Sequence, residues 1–409
     1  MVENLVEISG RSQLYDLEES SPNALKSDKS TNKNGIVNIM CLILLRFCDI
    51  IIIAYYRRDI MSIKEKCLCA VISACVAFCS CGSKNTSVNK NDTSKSATRD
   101  VFAMDTYMNL KAYGSNADIA LTEAESRIHE LENELSATSE TSDIWKLDHH
   151  NGEPLEMCDD AVVLINKAKE IGEMTDGALD ITLYPILKEW GFTTGEYNIP
   201  QSKTIDELLK NVDYKKISVN ENTVTLPENS LIDLGALAKG YTGDEIMEIF
   251  KSHDISSGIV SLGGNVQALG KKPDGSEWKV AVRDPFLTDR DMCVVEISDK
   301  AVITSGNYER FFIGDDGNKY WHILDPKDGY PADNGLVSVT VIGKNGLECD
   351  SLSTAFFVLG YNNTLDFLKK HPENDVILVT DDQKIFYTQG LKDSFTNISD
   401  MPAEVIAVD

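Results

Sequence analysis

The stretch YWHILDPKDGYPADNGLVSVTVIGKNGLECDSLSTAFFVL, Tyr320 to Leu359, reads as strand, turn, strand and then helix. Tyr320–Leu324 and Leu336–Ile342 are short apolar runs rich in β-branched and aromatic residues, with a Pro/Asp/Gly-rich segment between them. Ser351–Leu359 follows with a helical pattern. The same stretch carries two motifs with chemical content. HILDP (His322–Pro326) sets an imidazole at the end of an apolar strand, beside an acidic turn. DSLSTA (Asp350–Ala355) sets a carboxylate and a hydroxyl at i and i+4, on one face of a helix start. Oxygen ligands so arranged suit a hard cation such as Mg²⁺, which usually accompanies a phosphate-bearing substrate. Read alone, Asp350 and Thr354 are equally good helix-capping residues.

Outward from this stretch, short strands dominate. They are expected at Gly258–Leu262, Trp278–Val282, Val294–Ile297, Ala301–Thr304, Val376–Thr380 and Lys384–Tyr387. Apolar stripes predict helices over Ala117–Leu135, through Ile119, Ala124, Ile128, Leu131 and Leu135, and over Asp160–Met174. Further helices are expected at Lys239–Phe250 and Thr364–Lys370, and a hairpin at Ile217–Pro227. There is no regular βαβ alternation and no internal repeat, so the fold class is α+β.

The N-terminal part is of another kind. Seven of the ten cysteines lie at or before residue 81, and Cys158, Cys293 and Cys349 are too scattered for a disulfide framework or a metal cluster. Residues 36–56 form an apolar run interrupted by Arg46 and Asp49, charges that are costly in lipid. MSIKEKCLCAVISACVAFCSCGSK, from Met61, has a basic start, an apolar stretch of signal-peptide length and small residues around a cysteine. It resembles a bacterial lipoprotein signal with Cys81 as the lipidated residue. On this reading residues 1–60 are an over-extended reading frame or, alternatively, a membrane anchor. Residues 61–81 are then the signal, 82–100 a polar tether, and 101–409 the functional domain, mostly antiparallel in its strands. That order puts the domain on the extracytoplasmic face of the membrane, held by lipid. A net charge of −26 leaves no basic footprint for nucleic acid.

Five further segments look like site loops: AMDTYMNL (Ala103–Leu110), TDGALDIT (Thr175–Thr182), IDLGALAKGY (Ile232–Tyr241), SLGGNVQALG (Ser261–Gly270) and AVITSGNYERFF (Ala301–Phe312). With HILDP and DSLSTA they closely resemble, in order and wording, the ApbE family of flavin transferases. The resemblance implies FAD as substrate, Mg²⁺ as cofactor, and transfer of FMN to a Thr or Ser hydroxyl of a target redox protein. It implies metal ligands at the Asp350 carboxylate, the Thr354 hydroxyl and the main-chain oxygens of Ser353 and Ala236, the last reachable because Gly235 lets the backbone turn. It implies flavin contacts at Met104, Ala178, Leu179, Asp180, Asp233, Lys239 and Leu324. Thr138 stands near the place where the family usually has an aromatic ring, a departure that leaves the balance between transfer and FAD hydrolysis open. His322 is the candidate general base, since an imidazole titrates near neutrality; Asp325 either orients it or caps a turn. Asp180 could likewise cap a turn, and Gly263-Gly264 could be a strand bulge rather than a close approach to ligand. Two other functions are compatible with these residues: an FAD pyrophosphatase releasing FMN and AMP, and a flavin-binding lipoprotein without catalysis.

Overall fold

The computed structural model describes residues 93–406. Residues 1–60, the signal at 61–81 with Cys81, and most of the tether lie outside the described residues. The tether ends sooner than its composition implies. Ser96 already opens a strand, because alternate side chains of SATRDVFA pack inward while their neighbours face solvent.

Nine strands stand side by side in chain order: β1 (Ser96–Ala103), β2 (Thr106–Tyr113), β3 (Ser257–Leu262), β4 (Asn265–Leu269), β5 (Lys300–Gly306), β6 (Leu336–Gly343), β7 (Asp375–Thr380), β8 (Ile385–Thr388) and β9 (Ala403–Ile406). Every neighbouring pair is antiparallel except the last, β8 with β9. The α+β expectation holds. All eight residues of β6 are buried, so Ser338 and Thr340, which alternate with its valines, lie inside the fold along with them. On one face Ile303, Val339 and Val341 pack with Leu352, Ala355 and Phe356 of a helix. On the other, Val302, Ile342 and Val379 pack against Trp278, Val280 and Val295 of a three-stranded sheet.

Four longer helices matter for the site. They are α1 (Ala117–Leu135), α2 (Asp159–Met174), α3 (Ala238–Ser252) and α4 (Gly346–Leu368). The first has the bounds read from sequence, but its buried face runs through Ala117, Ala120 and Leu121, and Ile119 is 60% exposed. The last differs more. DSLSTA does not start a helix: Asn345 is the cap, accepting from the Glu348 N–H at 2.8 Å, so Asp350 and Thr354 sit on the second and third turns. The two helices expected here are separated by Gly360, whose φ of 74° breaks the helical path.

The strand bearing HILDP is also shorter than expected. Lys319–Trp321 pairs with Phe311–Ile313 outside the main sheet, and Leu324 makes only an isolated bridge to Pro331. Gly263-Gly264, with φ of 63° and 102°, is not a strand bulge. It is the two-residue turn between β3 and β4, a conformation that glycine adopts without strain.

Candidate active site

The N-terminal turn of α3 and the second turn of α4 meet at Gly240 and Asp350. The Gly240 N–H donates to Asp350 Oδ2 at 2.8 Å. This contact requires a glycine: a Cβ on Gly240 would lie 2.2 Å from the Gly346 carbonyl oxygen and 2.6 Å from Asp350 Cβ. Asp350 is buried, 5% exposed, and burial pushes its carboxyl pKa up. The Lys239 charge, the Gly240 N–H and the amide of Asn265 oppose that shift. The Asn265 Nδ2 itself is buried without a full hydrogen bond, so it is close to the carboxylate but not fully engaged.

Three hydroxyls cluster on the main-chain side of Asp350, against the next turn of α4. Ser353 Oγ donates to the Asp350 carbonyl at 2.9 Å, and Ser305 Oγ lies 2.8 Å from Ser353 Oγ and 3.3 Å from Thr354 Oγ1. Ser305, on β5, went unremarked in the sequence except as part of AVITSGNYERFF. Among the described residues no three His, Cys, Asp or Glu side chains converge on one point. A cation here has to be held by one carboxylate together with hydroxyl and carbonyl oxygens, an all-oxygen set that fits hard Mg²⁺ and suits no soft metal. A buried carboxylate with raised pKa is what such a cation would stabilise in its charged form.

Lys239 links this corner to the rest of the site. Its charge acts on Asp350, Asp233 and His322, and the Arg310 charge acts on Asp233 and His322. Asp233 accepts from the Gly235 N–H at 2.9 Å, and a Cβ on Gly235 would lie 2.8 Å from the same Asp233 oxygen. Gly235 thus makes room for a carboxylate; its backbone is not in the left-handed region.

His322 is half-buried, and its Nδ1 lies 3.1 Å from the Arg310 carbonyl oxygen. A carbonyl can only accept, so Nδ1 carries the hydrogen and Nε2 keeps its lone pair. Burial, then the nearby Arg310 and Lys239 charges, lower its pKa to about 4. The expectation of an imidazole titrating near neutrality is therefore corrected: the ring is neutral across the physiological range. Asp325 does not orient it. Asp325 Oδ1 accepts from the Lys327 N–H at 2.9 Å and caps the turn. Arg310 was the missed residue here, and its only sequence signal was its place in a segment already resembling a site loop.

Met104 stands at the β1–β2 turn with φ 51°, its sulfur 3.7 Å from Thr242 Oγ1, one helical turn beyond Lys239. Ala178, Leu179 and Leu324 are buried among core side chains. The Asp180 side chain is committed internally: one oxygen accepts from Thr182 N–H and Oγ1, the other from Tyr214 N–H. The capping alternative is the one observed for that side chain, although Asp180 stays next to Asp233 because the Asp233 N–H donates to the Ile181 carbonyl at 3.1 Å. Thr138 is exposed and lines a cavity with Trp145, Asp148 and Tyr184.

Comparison with known proteins agrees with this geometry. The model of the ApbE family matches residues 104–378, which include the turn of Met104, the Asp233–Gly240 corner, His322 and the Asp350–Thr354 turn. An FAD:protein FMN transferase of Treponema pallidum is 32% identical over 292 residues, covering 67% of this chain and 80% of that protein. Another, of Klebsiella pneumoniae, is 31% identical over 285 residues, covering 68% and 86%. Among solved structures, the ApbE protein of Thermotoga maritima superposes with a TM-score of 0.69 at 31% identity, over 73% of this chain and 98% of its own. The flavin transferase ApbE of Vibrio cholerae gives 0.67 at 25% identity, over 73% and 99%. With the family model spanning most of the chain and the site residues falling within it, this protein belongs to the ApbE family.

Proposed function

We propose that the chain is a Mg²⁺-dependent FAD:protein FMN transferase. The observation that carries the reading is the Gly240–Asp350 junction, where a buried carboxylate feels the Lys239 charge that also acts on the neutral His322, with three hydroxyls clustered along the next turn of α4. Bound there, Mg²⁺ would neutralise pyrophosphate charge and polarise the phosphorus under attack. Asp350 and Thr354 would hold it, with the Ser353 and Ala236 carbonyls. Lys239 attracts the phosphates. His322 Nε2 takes the proton from the Thr or Ser hydroxyl of a target redox protein. The hydroxyl oxygen then bonds to the FMN phosphorus, the bond to the bridging oxygen breaks, and AMP leaves with that oxygen.

The test is AMP release from FAD as Mg²⁺ is titrated. Asp350→Ala removes the only carboxylate in the proposed ligand set and is expected to abolish release. Full activity in that variant, or no response to Mg²⁺ in the native chain, contradicts the metal assignment. The N-terminal sequence supports a setting on the extracytoplasmic face of the cytoplasmic membrane, with the domain tethered through a lipid on Cys81. Mass spectrometry of membrane-extracted protein should find an acylated peptide beginning at Cys81; a mature chain that retains residues 1–60 overturns that part of the reading.

A further inference from the structure

Phe312 and Tyr320 pair directly across the hairpin that leads into His322, and both rings lie within 6.3 Å of the buried Trp190 ring. Phe311 and Ile313 alternate with Phe312, so they face the other way. Tyr197 is the outermost ring on the Phe312 side. Its plane lies 10° from that of Phe312, with centroids 4.9 Å apart, yet the residue is 45% exposed. The loop that bears it is held in place: the Asn198 N–H donates to the Trp190 carbonyl at 3.2 Å, and the Trp190 indole N–H donates to the Gly329 carbonyl at 2.9 Å. Exposed Ile199 follows, so near Gly314 that a Cβ there would lie 2.7 Å from its Cδ1. An aromatic ring already fixed but still in water loses little freedom when a partner covers it. From Tyr197 the cluster leads to the base. Phe192 is 5.7 Å from the Tyr197 ring and 6.4 Å from the His322 imidazole, edge-on to both. The imidazole is thus no more than about 12 Å from Tyr197, a span that about four extended residues cover at roughly 3.3 Å each.

We propose that Tyr197, with Ile199 beside it, is where the acceptor protein docks. An extended acceptor segment runs along this aromatic cluster, its Thr or Ser at His322 and an apolar side chain within about four residues of that hydroxyl seated on the Tyr197 ring. The inference rests on the transferase reading and deepens it by naming the surface that grips the protein substrate. The occupant follows from the reaction: the acceptor hydroxyl has to reach His322 Nε2, so the acceptor chain has to cross the surface around it, and Tyr197 is an exposed, rigid ring on that path. An anchor at that distance binds substrate without touching the reacting atoms, so its loss appears in KM and not in kcat.

The experiment measures, by intact mass, FMN attached to an acceptor domain with a known flavinylation threonine, at fixed FAD and Mg²⁺ and rising acceptor concentration. FAD affinity is followed separately by quenching of flavin emission. Tyr197→Ala is expected to raise the acceptor KM roughly 10–100-fold, the usual size for an aromatic anchor, with kcat and FAD affinity as in the native chain. Tyr197→Phe keeps the ring and should keep KM within a few-fold. Ile313→Ser, on the opposite face of the hairpin, should not change KM. Replacing the apolar acceptor residues within about four positions of the threonine by serine should raise KM for the native chain. The same replacements should add little to Tyr197→Ala, because both remove one contact. Unchanged KM in Tyr197→Ala, an equal rise in Ile313→Ser, or full additivity with the acceptor variants overturns the inference. So does a loss of FAD affinity in Tyr197→Ala, which assigns the ring to the flavin, or a native dimer that Tyr197→Ala dissolves, which assigns it to a second copy. A native chain that attaches no FMN brings down the transferase reading first and the inference with it. Native transfer whose KM ignores Tyr197 removes the inference alone.

Discussion

His322 has its proton placement decided by one carbonyl. With Nδ1–H tied to Arg310 O and two cations close by, the ring stays neutral to about pH 4, ready to accept a proton at Nε2. His322→Asn should retain FAD binding while transfer falls by about 10²–10⁴-fold, the usual worth of a positioned base. The sign of the pH effect follows from the lowered pKa: protonation silences the base only below its own pKa. The acid limb of kcat/KM, which reports the free enzyme, should therefore lie well below 6.5 and towards 4. A limb at 6.5, or a variant that loses FAD affinity yet transfers normally, would make His322 a binding or packing residue. The histidine itself was legible in HILDP. Its pKa was not, because burial and the Arg310 charge come from chain segments that only the fold brings together.

The α3–α4 crossing is the element-scale device that makes the site. Gly240 lets the two helices approach until a main-chain N–H reaches Asp350, and Gln267 Nε2 closes the contact by donating to the Gly240 carbonyl at 2.9 Å. Gly240→Ala forces a Cβ into the Gly346 carbonyl. It is expected to cost about 1–3 kcal/mol, in the range of overpacked cores, and to weaken Mg²⁺-dependent AMP release because the Asp350 anchor shifts. Calorimetry and the AMP assay check both; unchanged Tm and unchanged release would contradict the account of this crossing. At this scale the sequence was informative about long periodic elements. α1 was legible to its ends, and the 217–227 hairpin appears as Ser218–Asn220 paired with Thr223–Thr225. It was less informative where capping competes with function. DSLSTA looks like a helix start because Asp and Ser favour that position, but Asn345 is the better placed cap, and the motif is left facing α3.

At the scale of the whole molecule, the order of the site loops along the chain was readable, and the reason for their convergence was not. Met104, the Asp233–Gly240 corner and Ser305 lie on or beside strands and helices that the nine-stranded sheet sets next to one another, and strand order is a property of long-range pairing. The most direct test of the central claim is intact-mass analysis of an acceptor domain with a known flavinylation threonine, incubated with this protein, FAD and Mg²⁺, with AMP quantified in the same reaction. The account expects the acceptor to gain FMN less water, one AMP per FMN attached, and neither product when the acceptor threonine is replaced by valine or when Asp350 is replaced by alanine. An acceptor of unchanged mass, with AMP and free FMN accumulating together, would contradict it and make the enzyme a hydrolase.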